Sequence, residues 1–260
     1  MKPEIITKGR LKPINNYDWT NIKLIASDMD GTLTKVEQFD SELFDTLDRL
    51  ATAGVKVLIT TGRSAGWVQA IATYLPIVGA IAENGGLLYW QDDLKPRFMS
   101  DLDFQEHRLQ LNRVYRILKS KFPQLEESPD NVFRLTDWTF EVAGLSLTEL
   151  EHIEAICNGE GYGFTYSTIQ CHIKPIHQDK GLALDQVISQ HFPDLKPEQI
   201  LTIGDSPNDE SLFNPEKFSL SIGVANIVRY RDHLQYLPAY MTSKFEGEGF
   251  RELAELIINS

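Results

Sequence analysis

The sequence predicts an α/β fold, a doubly wound parallel-sheet core carrying an inserted α+β unit. Three observations predict it. Short apolar runs alternate with helix-period segments over residues 22–85, and again from residue 176 to the end of the 260-residue chain. Each run stops at a small cluster of Asp, Thr, Asn or Gly, where a strand gives way to a loop. Between the two alternating parts lies a stretch of different character, large enough for a subdomain.

The first strand reads as Leu24-Ile25-Ala26-Ser27, ending abruptly in Asp28-Met29-Asp30-Gly31-Thr32. Asp40 can cap a helix whose apolar side is Leu43, Phe44, Leu47, Leu50 and Ala51, with Gly54 as its stop. Residues 55–59 form a second strand, running into Thr60-Thr61-Gly62-Arg63. Residues 64–74 are helical until Pro76, and residues 78–82 are a third strand closing on Glu83-Asn84-Gly85-Gly86. This order implies a parallel sheet, and such sheets bind ligands beyond the carboxyl ends of their strands. Asp28, Thr61 and Asn84 all fall there.

From residue 88 to residue 175 the pattern changes. Residues 102–122 read as an amphipathic helix with Phe104, Leu109, Leu111, Val114, Ile117, Leu118 and Phe122 on its apolar side. Residues 133–142 alternate like a half-buried strand, 147–157 form a second helix, and 164–173 contain the β-favouring Tyr166, Thr168 and Ile169. The core pattern then resumes with a helix over 180–192. A strand at 200–203 ends in Gly204-Asp205-Ser206-Pro207-Asn208-Asp209, and Leu212 and Phe213 complete a short helix. A strand over 218–224, a helix over 225–234, an edge strand at 240–242 and a closing helix over 249–258 follow. The expected organisation is an extension at 1–21, a core from 22–87 and 176–260, and an inserted domain at 88–175.

Composition narrows the function classes. A net charge of −12 argues against a nucleic-acid binder, which needs a basic face. It also means that local features must attract any anionic substrate. Cys157 and Cys171 are the only cysteines, so neither a disulfide framework nor a cysteine-rich metal site is expected. Residues 1–21 are polar, with Pro3 and Pro13 and no apolar signal region, and read as disordered or draped on the surface. No run approaches a membrane span. The expectation is a cytoplasmic protein without membrane or nucleic-acid partners, monomeric or homodimeric.

Two aspartates at one strand's end need a reason, since Asp is a poor strand former and costly to desolvate. A solvated turn is one reason, because Asp and Gly are common in turns. A divalent cation with a phosphate is the other: hard oxygen ligands for the metal, a carboxylate nucleophile for phosphorus. Lys180 alone reads as a solvated helix residue, and residues 204–209 alone as a turn. Four sites at or beside strand ends are harder to dismiss: Asp28 with Asp30, Thr61, Lys180, and Asp205 with Asp209. Three carboxylates can hold Mg²⁺, while the Thr61 hydroxyl and the Lys180 ammonium suit phosphoryl oxygens.

In order and spacing these residues resemble the haloacid dehalogenase (HAD)-like phosphohydrolases. Asp28-Met29-Asp30-Gly31-Thr32 resembles the family's first motif, Thr61 the second, Lys180 the third, and Gly204-Asp205 through Asn208-Asp209 the fourth. The long insert, Thr-Gly-Arg, Glu-Asn-Gly and Gly-Val-Ala-Asn at 223–226 resemble subfamily IIB, the Cof-like and sucrose-phosphatase-like branch with a C2B cap. The resemblance implies a Rossmann-like core with an inserted α+β cap domain, and a Mg²⁺-dependent phosphatase for a small phosphorylated metabolite such as a sugar phosphate. It implies Asp28 as nucleophile and Asp30 as acid and base. Mg²⁺ would sit on Asp28, the Asp30 carbonyl and Asp205, with Asn208 and Asp209 supporting. Thr61 and Lys180 would bind the phosphoryl group, and Lys180 would keep Asp28 ionised.

Substrate contacts are expected at Gly62, Arg63 and Asn84, with Glu83 beside them. Arg63 could meet a phosphate or pair with a carboxylate. In the cap, Arg134, His172 and Lys174 could bind a substrate hydroxyl or carboxylate, or be surface residues. Trp90 and Trp138 read as core. A phosphomannomutase-like mutase is an alternative, although those enzymes carry a longer insertion in the fourth motif. A non-catalytic metabolite-binding module is another, although no catalytic position is replaced.

Overall fold

In the computed structural model, which describes residues 11–101 and 103–260, the chain opens with β1 (Lys12–Pro13) and β2 (Leu24–Ser27). Then come α1 (Ser41–Thr52), β3 (Lys56–Thr60), α2 (Ala65–Tyr74), β4 (Gly79–Ala82), and a hairpin of β5 (Leu87–Trp90) and β6 (Asp93–Phe98). The insert holds α3 (Phe104–Lys121), β7 (Trp138–Glu141), α4 (Leu147–Gly159), β8 (Gly163–Tyr166) and β9 (Gln170–Lys174). The chain closes with α5 (Lys180–His191), β10 (Ile200–Gly204), β11 (Leu220–Gly223), β12 (Tyr240–Met241) and α6 (Glu246–Ile258).

Among the described residues the main sheet has nine strands, in the order β1-β12-β11-β10-β2-β3-β4-β5-β6. Pairing is parallel from β1 to β4 and antiparallel at β4–β5 and β5–β6. The chain winds outward from β2 in one direction, then returns to β10 at its other side and winds the opposite way. The order therefore reverses between β2 and β10, and the crevice at such a switch point is where open α/β sheets bind ligands.

Strand periodicity explains the two covered faces. Ile25 points to the side where Leu43, Leu47 and Leu50 of α1 and Phe250 and Leu253 of α6 pack. Leu24 and Ala26 point to the other, against Leu184 and Val187 of α5. Because both faces are buried, the strand reads as an unbroken apolar run rather than an alternation. Each of these leucines, once buried, stabilises the fold by roughly 1.5–3 kcal/mol. Asp40 does cap α1, accepting from the Leu43 N–H at 2.9 Å, and Gly54 follows with φ +77°.

The insert is built on a three-stranded antiparallel sheet, β7-β9-β8. Cys171 and Ile173 of β9 join Phe140, Leu111, Val114, Leu118 and Ile153 in a core of its own. Gln170, His172 and Lys174 alternate with them on β9 and are also buried, facing the main domain. Cys157 and Cys171 lie in the insert's core, where burial pushes the Cys157 thiol up to about 12.

Four expectations change. Residues 88–98, assigned to the insert from sequence, belong to the main sheet, with Leu88 in its core. The chain reverses there because Glu83, Asn84 and Gly85 all take positive φ. Residues 11–21 are not draped on the surface: β1 pairs with β12, and Ile14 and Trp19 are buried, the indole donating to the Ile14 carbonyl. Residues 1–10 lie outside the described residues. With β1 beside it, β12 is not an edge strand. The helix expected over 225–234 is a short 3₁₀ turn, Ala225–Tyr230, while residues 164–173, read as β-favouring, fall in β8 and β9.

Candidate active site

Asp28 follows β2 and Asp205 follows β10, so the switch point sets two carboxylates side by side. Gly31 turns the chain away with φ +79°. A Cβ there would stand 2.5 Å from Asp205 Oδ2, so only glycine fits. Lys180 opens α5 and is fully buried. Its Nζ donates to Asp28 Oδ1 and to Asp209 Oδ1, each at 2.6 Å. Asp209 Oδ2 accepts from the backbone N–H groups of Asp205 and Ser206 at 2.9 and 3.1 Å. Asp205 Oδ2 accepts from Asn226 Nδ2 at 2.6 Å, whereas Asp205 Oδ1 is buried with no donor.

Ligand atoms of Asp28, Asp205 and Asp209 lie within 4.8 Å of one another. Burial and the Asp209 charge push Asp28 up to about 7, although Lys180 pulls the other way. Burial and the Asp28 and Asp209 charges raise Asp205 well above the carboxylate range. Burial alone would lower Lys180, but Asp209 and Asp28 outweigh it and raise it. Lys180 thus pulls Asp28 down against burial and the Asp209 charge, which still leave it raised. The undonated oxygen of Asp205 and the hard donor set fit a divalent cation, which would supply the missing positive charge.

Asp30 is held by Arg63, through Nε to Oδ2 at 2.9 Å and Nη2 to Oδ1 at 2.6 Å. Of the two roles open to Arg63, the structure has it pairing with a carboxylate, its guanidinium 5.4 Å from the Trp67 ring centre. Thr61 is buried just past β3, where its Oγ1 accepts from the Arg63 N–H.

The insert forms the roof. Arg134 is fully buried, and donates to the Gly62 carbonyl at 2.8 Å, to both oxygens of Asp137 at 3.0 Å, and to Asp130 and Gln170. His172 Nδ1 lies 2.8 Å from Asp137 Oδ2. Burial pushes Asp137 up, but Arg134 and His172 outweigh it and hold it below its ordinary value. Glu83 reaches across from the core. Its carboxylate accepts from the backbone N–H groups of Ala65, Leu135, Thr136 and Asp137 and from the Thr136 hydroxyl. Burial and the Asp137 charge raise it to about 7.

Asp28, Asp30, Arg63, Gln170, His172 and Asn208 line the cleft between roof and floor. Its free volume is about 20 Å³, room for about one water molecule. Asn84 lines a neighbouring groove instead, accepting from Asn208 Nδ2 at 3.0 Å. Lys174 is turned aside, donating to the Gln178 carbonyl and lining a neighbouring groove. Trp90 stacks on His191, 4.0 Å between ring centres, and Trp138 belongs to the insert's core under Arg108.

Sequence reasoning left two contributors without a role. Asn226 bridges Asp205 and the Gly31 carbonyl, donating to the latter at 3.1 Å; its signal was the Gly-Val-Ala-Asn run. Asp137 gave no signal, because an Asp between Thr136 and Trp138 looks like a loop residue until Arg134 and His172 fold onto it.

Comparisons with known proteins agree with this geometry. A family model described as haloacid dehalogenase-like hydrolase matches residues 25–125. The chain is 25% identical over 244 residues to phosphoglycolate phosphatase 1 of Saccharolobus solfataricus, covering 91% of this chain and 96% of the relative. It is 26% identical over 253 residues to a phosphoglycolate phosphatase of Methanobrevibacter smithii, covering 92% and 99%. Among solved structures, a Thermoplasma acidophilum protein superposes with a TM-score of 0.72 at 20% identity, covering 92% of this chain and 97% of that one. A HAD subclass IIB sugar phosphatase superposes at 0.65 and 15% identity, covering 91% and 98%. With its acidic switch point beneath an inserted roof, the chain resembles the haloacid dehalogenase-like hydrolases, whose family model matches its residues 25–125.

Proposed function

We propose that this hydrolase is a Mg²⁺-dependent phosphatase that acts on a small phosphorylated metabolite, a sugar phosphate or related phosphomonoester, through an aspartyl-phosphate on Asp28. The observation that carries the reading is the Asp28 carboxylate itself. It is buried at the switch point, bonded to Lys180, packed among Asp205 and Asp209, and roofed by the insert. The relatives named phosphoglycolate phosphatase and the sugar phosphatase neighbour support the substrate class.

Asp28 attacks phosphorus, and the bond to the leaving oxygen breaks as Asp30 gives that oxygen a proton. Water then attacks the aspartyl-phosphate and yields its proton to Asp30, which restores the enzyme. Asp30 can do this only after leaving Arg63, so Arg63 holds it in place between turnovers. Lys180 and Thr61 face the charge on the transferring group. Mg²⁺ would be held by Asp28, the Asp30 carbonyl and Asp205; when bound it screens the phosphoryl oxygens. Asp209 and Asn208 support from behind, because the Asp209 oxygens are already taken by Lys180 and two backbone N–H groups. A cleft this small admits substrate only when the roof lifts, so opening accompanies each turnover.

Phosphate release by the purified protein, with Mg²⁺, from p-nitrophenyl phosphate, 2-phosphoglycolate and a hexose phosphate panel tests the reading. Release that is lost with EDTA and regained with Mg²⁺ is expected. No release from any of them would overturn it.

A further inference from the structure

The roof is fastened to the floor along one side. There Glu83 accepts from the backbone N–H groups of Leu135, Thr136 and Asp137 and from the Thr136 hydroxyl, and Arg134 donates to the Gly62 carbonyl. Both crossings of the chain are tied to the loop of residues 83–86. Where the chain leaves the main sheet, the Met99 N–H donates to the Gly86 carbonyl at 3.1 Å. Where it returns, Gln178 Nε2 donates to the Glu83 carbonyl at 2.6 Å. Packing at this seam is as close as the bonding, since a Cβ on Gly86 would collide with Thr136 Oγ1.

The far side differs. The β8–β9 hairpin overhangs the reacting groups, and Ser167 and Ile169 of its turn line the cleft with Asp28 and Asp30. Gln170 and His172 make their hydrogen bonds inside the roof, with Arg134, Asp130 and Asp137. Among the described residues, no group of residues 163–172 makes a hydrogen bond or ion pair with the main domain. Two grooves of about 240 and 210 Å³ part β8 from the floor, both lined by Phe164, Thr165, Pro207 and Glu210. Lifting the seam would strip a buried carboxylate and a buried guanidinium of their partners. Lifting the hairpin breaks no hydrogen bond to the floor.

We propose that the loop of residues 83–86 is a fixed hinge about which the roof swings, so that the β8–β9 hairpin rises and substrate enters beneath β8. This rests on the phosphatase reading above, in which the roof lifts at each turnover. Glu83 is then a pivot whose bonds persist through the cycle, and the mouth lies opposite it.

The test staples each side in turn. A Cβ on Gly66 would stand 3.3 Å from the Phe133 Cβ, beside the seam. That is close to the ~3.8 Å between the Cβ atoms of a disulfide. Oxidised Gly66→Cys/Phe133→Cys protein should turn over p-nitrophenyl phosphate within about threefold of its dithiothreitol-reduced form. On the far side, Glu151 of α4 and His233 of the main domain line one groove. A short bismaleimide joining Glu151→Cys to His233→Cys should lower turnover at least about tenfold, relative to the same variant capped with N-ethylmaleimide. Each comparison lies within one variant, so a folding defect cancels. Turnover lost in the seam staple and regained with dithiothreitol, or undiminished in the joined mouth, overturns the proposal.

Pulsed electron paramagnetic resonance reads the motion without turnover, and both native cysteines are buried away from the label. Nitroxides at the exposed positions of Thr148→Cys and Glu216→Cys, across the mouth, should give a broad or double distance distribution. Nitroxides at Val132→Cys and Tyr74→Cys, also exposed, should give a single narrow one. A seam pair as broad as the mouth pair, or broader, overturns the hinge. The expected distances in a protein that releases no phosphate would sink the phosphatase reading and leave the hinge standing.

Discussion

Two groups of buried charge lie across the same cleft, and they differ in how their oxygens are served. In the floor, Asp28, Asp205 and Asp209 share one ammonium, and Asp205 Oδ1 has no donor at all. In the roof, Asp137 takes three hydrogen bonds from Arg134 and His172, and Glu83 takes backbone and hydroxyl donors from both sides of the seam. Both groups are equally dry. Asp28 and Asp205 are nevertheless raised, whereas Asp137, beside a cation, is lowered; Glu83, served by neutral donors and near the Asp137 charge, is raised to about 7. Buried charge that is fully donated acts as a joint between domains. Buried charge left short of donors is poised for a cation and an incoming anion.

The sharpest test of the floor is Asp28→Asn. The side chain keeps its shape but loses its nucleophilic oxygen, so phosphate release should fall at least about 10³-fold while the far-ultraviolet circular dichroism is unchanged. Turnover persisting in that variant would break the assignment of the floor as the reacting half.

The matching test of the roof is Arg134→Met. It removes the positive partner of Asp130 and Asp137 and frees the Gly62 carbonyl. Stranding buried carboxylates in this way costs about 3–5 kcal/mol, which urea unfolding would read as a lowered midpoint. An unchanged midpoint would mean that the roof network is not a joint.

The floor was legible in the sequence and the roof was not, for a physical reason. Asp28, Thr61, Lys180 and Asp205 each sit at or beside the end of an apolar run, so their places follow from strand periodicity and from the rule that parallel sheets bind at strand ends. Arg134 and His172 could be named only as polar residues near predicted strands. Their burial depends on Asp137, on Glu83 reaching across from another domain, and on the left-handed turn at Glu83 and Asn84, all long-range facts. The Asp30–Arg63 pair falls between: each residue was marked, but their meeting joins two loops 33 positions apart. The limits of the insert were misread because β5 and β6 pair with a strand already placed, and pairing partners cannot be read from composition.

A smaller effect separates the two groups by metal. Saturating Mg²⁺, at about a hundred times its dissociation constant, should stabilise the wild-type protein by about 2.7 kcal/mol. Asp205→Asn should remove that response and raise the stability of the EDTA-treated protein, since it deletes one of three crowded carboxylates. Asp137→Asn should keep the response and lower stability with or without the ion. If Asp205→Asn still responds to Mg²⁺, the cation binds elsewhere.

The finest distinction is in pH. Asp28 and Glu83 are both raised to about 7, from ordinary values of 3.8 and 4.5. Between those limits the folded protein binds more protons than the unfolded chain, so stability falls as pH rises. The stabilising contribution is complete below about pH 4 and is lost as pH climbs through about 7. In EDTA the urea midpoint should therefore drop between about pH 5 and about pH 8. Millimolar Mg²⁺ favours ionised Asp28 and should remove the floor's share of that drop, while the Glu83 share at the seam persists. Glu83→Gln should remove the remainder, because its amide carries no charge to desolvate. A midpoint in EDTA that is flat over this range would mean that both carboxylates are ionised throughout. The contrast between floor and roof would then rest on hydrogen bonds alone.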